Sequence, residues 1–255
     1  MSPVALALLL TALAGLSTTV GSLLIFLVRR PGPRFMALSL GFAAGVMILV
    51  SFAELLPAGL EELGPGLGYL AFFLGLGAMF ALDTAIPHSY EGVPDPAPGG
   101  RQSNDRLLRL GLFVALGIGL HNFPEGMATF AGTLADPQLG VAIAVAIAIH
   151  NIPEGLAVAA PVYAATGNRK KAFVWSFLSG LAEPVGAGLA ALVLLPFLHG
   201  PALAGVLAGV AGLMVFISLD ELLPAAREHG QEHLAIIGVI AGMAVMALSL
   251  WLLMG

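Results

Sequence analysis

Two short stretches hold the residues best suited to chemistry. His121-Asn122-Phe123-Pro124-Glu125-Gly126 recurs as His150-Asn151-Ile152-Pro153-Glu154-Gly155, with five of six positions identical. In each, an imidazole stands four residues before a carboxylate, and on a helix such residues share one face, about 6 Å apart at Cβ. An imidazole nitrogen and a carboxylate oxygen so placed bind one cation between them. Pro124 and Pro153 have no N–H to donate, so the carbonyls of Leu120 and Ile149, each one residue before a His, are expected to be free. Asn122 and Asn151 add amide oxygens three residues before the glutamates, and Glu183 supplies a third carboxylate in Gly180-Leu181-Ala182-Glu183-Pro184. Three neighbouring carboxylates repel one another as anions, and a divalent cation relieves that repulsion. Imidazole, carboxylate and amide oxygen without thiolate suit Zn²⁺, Fe²⁺, Mn²⁺ or Co²⁺ better than Ca²⁺ or Cu⁺. For one such residue alone, an interhelical hydrogen bond that merely holds a bundle is the simpler reading. Five together, at this spacing, point to a metal.

The elements that carry these residues are apolar throughout. Of 255 residues, 58% are hydrophobic and 10% charged, and the mean hydropathy is +0.97. Soluble domains carry about a quarter charged residues, so most of this surface must face lipid. The chain is all-α, a polytopic membrane protein. Blocks long enough to span a bilayer, about 20 residues each, run near 4–28, 35–60, 67–87, 106–131, 137–161, 171–197, 201–226 and 233–254. The first is read as a helix and not a signal peptide, because no Lys or Arg precedes it and it runs on to Val28. Residues 1–255 form a single transmembrane domain, interrupted by a flexible, Pro- and Gly-rich loop over 88–105. The absence of cysteine excludes disulfide frameworks and thiolate sites. A net charge of −5 argues against nucleic acid as a partner.

All ten basic residues fall on one side of this map: Arg29, Arg30 and Arg34 after the first block, Arg101, Arg106 and Arg109 around the fourth, Arg169 to Lys171 before the sixth, and Arg227 after the seventh. The positive-inside rule makes that side the cytoplasm, which puts both termini outside and the protein in a cell membrane, the inner one in a bacterium. A longer repeat now acquires meaning. Met47, Ser51, Glu54, Leu55, Leu56 and Pro57 align without gaps to Met214, Ser218, Glu221, Leu222, Leu223 and Pro224. The second block runs outward and the seventh inward, so the repeat is inverted, as in many transporters. The expected layout is three helices, a central pair carrying the His and Glu motifs, and three helices inverted. Glu54 is then expected toward the outer mouth and Asp220 and Glu221 toward the inner one; all three are read as path ligands for passing cations, the alternative being that they cap helix ends or bond neighbouring backbone. Asp83, His88, Glu228, His229, Glu232 and His233 form a weaker patch at the inner side, and His199 has no assignable role.

At these residues the chain resembles the ZIP (Zrt/Irt-like) family of divalent-metal transporters, in particular its bacterial GufA-like branch. The likeness spans nearly the whole chain, on His-Asn-x-Pro-Glu-Gly in the fourth and fifth blocks, Gly-Leu-Ala-Glu-Pro in the sixth and Ser-x-Asp-Glu-Leu-Leu-Pro in the seventh. The resemblance implies eight helices, a metal site that is binuclear in some members, and uptake into the cytoplasm by alternating access, one helix group sliding against the other. Carried over by motif, His121, His150 and Glu154 with Met47 resemble a first site. Asn122, Glu125, Asn151 and Glu183 resemble a second, with Glu154 placed to bridge. The cargo is Zn²⁺ or another divalent metal (Cd²⁺, Fe²⁺, Mn²⁺ or Co²⁺). The single His88 stands where many members carry a His-rich cluster.

The reading is a secondary transporter and not an enzyme, since no P-loop occurs. An intramembrane metallohydrolase would also hold metal with His and Glu, but no His-Glu-x-x-His is present, and both motifs carry a proline and recur on oppositely directed helices. A metal-sensing membrane protein is the remaining alternative, and the sequence leaves a homodimer open. Ligand imidazoles and carboxylates must shed protons to bind metal, so affinity is expected to weaken as pH falls from about 8 to about 5. Titration of Zn²⁺ into the purified protein across that range checks this, and a flat affinity would contradict it.

Overall fold

The computed structural model describes residues 1–27, 32–85, 101–135, 137–194, 200–227 and 231–254. Among them, nine α-helices follow in chain order: α1 Pro3–Leu23, α2 Pro33–Val50, α3 Leu56–Ala85, α4 Arg101–Ala135, α5 Pro137–Thr166, α6 Arg169–Leu189, α7 Gly200–Phe216, α8 Leu223–Arg227 and α9 Glu232–Met254. Among the described residues the regular structure is entirely helical, and seven helical stretches are long and apolar enough to cross a membrane. One of these, Pro33–Thr84, has 52 residues, about 78 Å at the usual helical rise and far more than a bilayer core of about 30 Å. It breaks at Gly64, whose φ of 73° and ψ of 166° no L side chain tolerates well, immediately before Pro65. Large apolar side chains such as Phe73, Leu74, Ile240 and Trp251 stand more than half exposed. Such surface is at home in lipid and not in water.

Short turn chemistry sets the other ends. Ser2 caps α1, its hydroxyl accepting from the Ala5 N–H at 3.2 Å, with Pro3 at the first helical position where its missing N–H costs nothing. Gly167, at a φ of 63°, closes α5 by donating to the Tyr163 carbonyl at 2.8 Å. Asn168 then caps α6 by accepting from the Lys171 N–H at 3.0 Å. Residues 101–105, expected in the long loop, form the first turns of α4; Asp105 and Arg109, four apart on one face, favour that extension. The rest of the loop, with His88, and also Arg29, Arg30, His199, Glu228 and His229 lie outside the described residues.

The helices sort into two groups. α4 packs against α5 and α6, and α1 lies against α4, α5 and α6; separately, α3 packs on α7 and α2 on α9. Contacts between the groups are sparser and run chiefly from α2 to α5 and from α4 to α7. Within each group, glycines let backbones touch. A Cβ on Gly155 would overlap the Thr18 carbonyl of α1, and one on Gly126 the Glu183 carbonyl of α6. In the other group, Gly45 rests on the Val239 carbonyl and Gly75 on that of Gly209. Across the seam, by contrast, Gly117 of α4 meets only side-chain atoms of Ile217 and Met79. Backbone cannot yield as a flexible side chain can, so each of these helix pairs is held rigidly together.

The glycine that closes each His and Glu motif is thus a packing requirement of the helix pair that holds the glutamate beside it. Gly155→Val is expected to cost well over the about 1–3 kcal/mol typical of overpacking, seen as a large fall in melting temperature in detergent. Gly77→Val, where a Cβ meets nothing within 4 Å, should leave it nearly unchanged.

Candidate metal centre

The His and Glu motifs meet where α4 and α5 cross. His121 and Asn122 are buried on α4 with Glu125, and His150, Asn151 and Glu154 are buried on α5. Both helices run on through their prolines, α4 past Pro124 and α5 past Pro153. Imidazole and carboxylate one turn apart therefore keep a common face, as the i, i+4 spacing requires. His121 Nε2 lies 3.3 Å from Glu125 Oε1 on its own helix and 3.3 Å from Glu154 Oε1 on α5. His150 Nε2 lies 3.1 Å from Glu125 Oε1 and 3.4 Å from Oε2. The ring centroids of the two histidines are 6.0 Å apart. Ligand atoms of His121, His150 and Glu154 all fall within 4.8 Å of one another, the spread of donors around a single ion.

A second layer lies beside the first. Glu183 of α6 is fully buried, and the Asn151 amide N–H donates to its Oε2 at 2.9 Å and to the Ala14 carbonyl of α1 at 3.0 Å. Asn122 donates to the Ser179 carbonyl of α6 at 3.2 Å. Both asparagines spend their N–H donors on neighbouring helices, which aims their Oδ1 atoms elsewhere. Those Oδ1 atoms are buried and accept no hydrogen bond, and the same holds for Glu183 Oε1 and Glu154 Oε2; Glu154 Oε1 has only the His121 ring nitrogen at 3.3 Å. Buried acceptors without donors are costly. Acceptors gathered in this way, with no protein donor to satisfy them, fit a cation. The donor set is nitrogen and oxygen only, without sulfur from cysteine, which suits a divalent first-row metal.

The structure sorts the remaining sequence candidates. Met47 is fully buried on α2 within the apolar core. Glu54 lies close enough to the centre for charge interaction with His150 and Glu125, and its Oε2 is buried without a hydrogen-bond partner. Asp220 and Glu221 gather instead with Asp83, at the end of α3. Two features went unread in the sequence. The helices widen into π-helical turns at Ser51–Leu55 and Ile217–Leu222, on both copies of the longer repeat. In each copy a serine hydroxyl donates back to a methionine carbonyl, Ser51 to Met47 at 2.7 Å and Ser218 to Met214 at 2.8 Å. Such turns often mark functional sites; the shared Ser four residues after Met is the one sequence signal that points to them. The other is the row of buried hydroxyls along α1 and α6, where Ser176 donates to the Thr18 carbonyl at 3.3 Å.

Comparison with known proteins agrees with this geometry. Residues 100–250, which include both motifs and Glu183, match the family described as ZIP zinc transporter. The chain is 55% identical to the "Zinc transporter ZupT" of Chlorobium phaeovibrioides, over 97% of each chain. It is 54% identical to the protein of that name from Chlorobium luteolum, over 99% of this chain and 100% of the relative. The one from Streptococcus mutans is 49% identical, over 96% and 97%.

If Asn151 serves by holding Glu183 and turning its own oxygen inward, Asn151→Ala should weaken Zn²⁺ binding by about 10- to 100-fold, the usual cost of losing a group that orients a ligand. His150→Ala should cost at least as much. Calorimetric titration of the purified variants measures both, and an unchanged affinity in Asn151→Ala would remove it from the site.

Proposed function

The chain belongs to the ZIP zinc transporter family, and from that we propose that it moves Zn²⁺ across a membrane through the buried centre between α4 and α5. It is a transporter and not an enzyme. The observation that carries this reading is the set of imidazole nitrogens and carboxylate oxygens at 3.1 to 3.4 Å, buried together beside acceptors that no protein donor satisfies. In this reading His121, His150 and Glu154, with Met47, hold one ion. Asn122, Glu125, Asn151 and Glu183 hold a second, and Glu154 bridges. Other divalent first-row metals and Cd²⁺ share the donor preferences and are alternative cargo.

The two arms of Pro33–Thr84 act as two spans, which makes eight, arranged as three, a central pair and three inverted. Residues 1–255 work as one transmembrane unit. The twin π-helical turns on the repeat copies support the inversion. The basic end is cytoplasmic and both termini are outside, in the bacterial inner membrane. Zn²⁺ enters past Glu54, whose nearness to His150 suits a hand-on ligand, and leaves past Asp220 and Glu221. Transport is secondary and proceeds by alternating access, the group of α1, α4, α5 and α6 shifting against the other; the sparse packing across the seam supports this division.

Flux into proteoliposomes tests the reading. The wild-type chain should show saturable Zn²⁺ entry, and His121→Ala or Glu154→Ala should reduce it to background while the protein still folds. Equal flux in those variants would rule the centre out.

A further inference from the structure

A second cluster of charge, at the end of the protein that carries its basic residues, is not used by the metal centre. Asp83 at the end of α3 and Asp220 and Glu221 in the π-helical turn after α7 bring carboxylate oxygens within 4.8 Å of one another. All three belong to the group of α2, α3, α7 and α9. Asp83 is buried and Glu221 partly so, so their mutual repulsion is screened less than on an open surface. Glu221 feels the repulsion of Asp83 and Asp220 and, against it, the attraction of Arg109 and Arg106. α4 touches the π-helical turn that carries Asp220 and Glu221. The two arginines stand three residues apart, on one face of the first turns of α4.

The location of these opposite charges matters more than their number. The anions sit on one helix group and the cations on the other. α4 is also the helix that carries His121 and Glu125, and Arg109 precedes His121 by about 18 Å of continuous helix. A shift of the metal-bearing group along the seam therefore drags both guanidiniums past the carboxylates. Elsewhere the seam meets through flexible side chains, as at Gly117 against Ile217, and through the charge of Glu54 facing His150.

We propose that Arg106 and Arg109 form an ionic latch with Asp83, Asp220 and Glu221, which holds the two helix groups in the relative position seen here. The latch rests on the transport reading for its purpose, since only groups that move need one. It is a positioning device: Arg109 stands about 18 Å along α4 from His121, outside the buried centre.

The chain has no cysteine, so two introduced ones can be spin-labelled without background. Lys171→Cys at the start of α6 and Arg227→Cys at the end of α8 report on the two groups, and the distance between labels is measured in liposomes by pulsed electron resonance. With native arginines, one distance should dominate. In Arg106→Gln/Arg109→Gln, the share of a second distance relative to the first should rise about fivefold, the equilibrium factor for charge pairs worth about 1 kcal/mol. Arg106→Lys/Arg109→Lys keeps the charge and should restore the native distribution, which a merely structural loss would not allow. Should the double Gln chain fail to fold, Arg109→Gln alone replaces it. A Gln variant with the native distribution, or a Lys variant that behaves like the Gln one, overturns the latch. Zn²⁺ flux of the unsubstituted protein is read separately: its absence would remove the transport reading, while the distances still decide whether the charges hold the groups.

Discussion

The structure depends on the cost of placing ionisable groups where water cannot reach them. Two histidines and three glutamates lie buried among apolar helices, and each would be costly there alone. The chain meets that cost only in part. His121 and His150 share Glu125, Asn151 holds Glu183, and Glu154 Oε2 and Glu183 Oε1 have no hydrogen-bond donor. A fully satisfied network would be a structural core. One left with acceptors to spare suits positive charge, and this residual need is what makes the cluster a candidate metal centre.

Positioning that receptacle explains features that otherwise look like composition. The glycine after each glutamate brings α4 against α6 and α5 against α1 at backbone distance, and those same helices supply Glu183 and the Ala14 and Ser179 carbonyls that orient the asparagines. Packing and the orientation of these polar side chains are thus one arrangement. The four helices that share it form a unit, and the other group meets it along a looser seam. Glu54 approaches the centre from that other group.

Much of this was legible in the sequence, for identifiable reasons. The His and Glu spacing forces a common helical face, so the meeting of His121 with Glu125 followed from helix geometry alone, and the recurrence of the motif on α5 foretold the shared centre. Glu183 could be read because a carboxylate deep in an apolar block has few other uses. The helix grouping could not be read: these helices are apolar on nearly every face, so no stripe announces a partner, and contact is decided by where a glycine meets a carbonyl. The π-helical turns at Ser51–Leu55 and Ile217–Leu222 left only a weak trace, since one extra residue in a turn changes no hydrophobic period. The charge interaction of Arg109 with Glu221 was equally hidden, because it joins helices whose relative height no local pattern sets.

The most direct measurement is a crystal structure of the protein soaked in Zn²⁺, with anomalous scattering recorded at the zinc edge. The account predicts an anomalous peak within about 2.0–2.2 Å of nitrogens of His121 and His150 and an oxygen of Glu154. Well-ordered crystals at saturating zinc with no anomalous density among these side chains would contradict it.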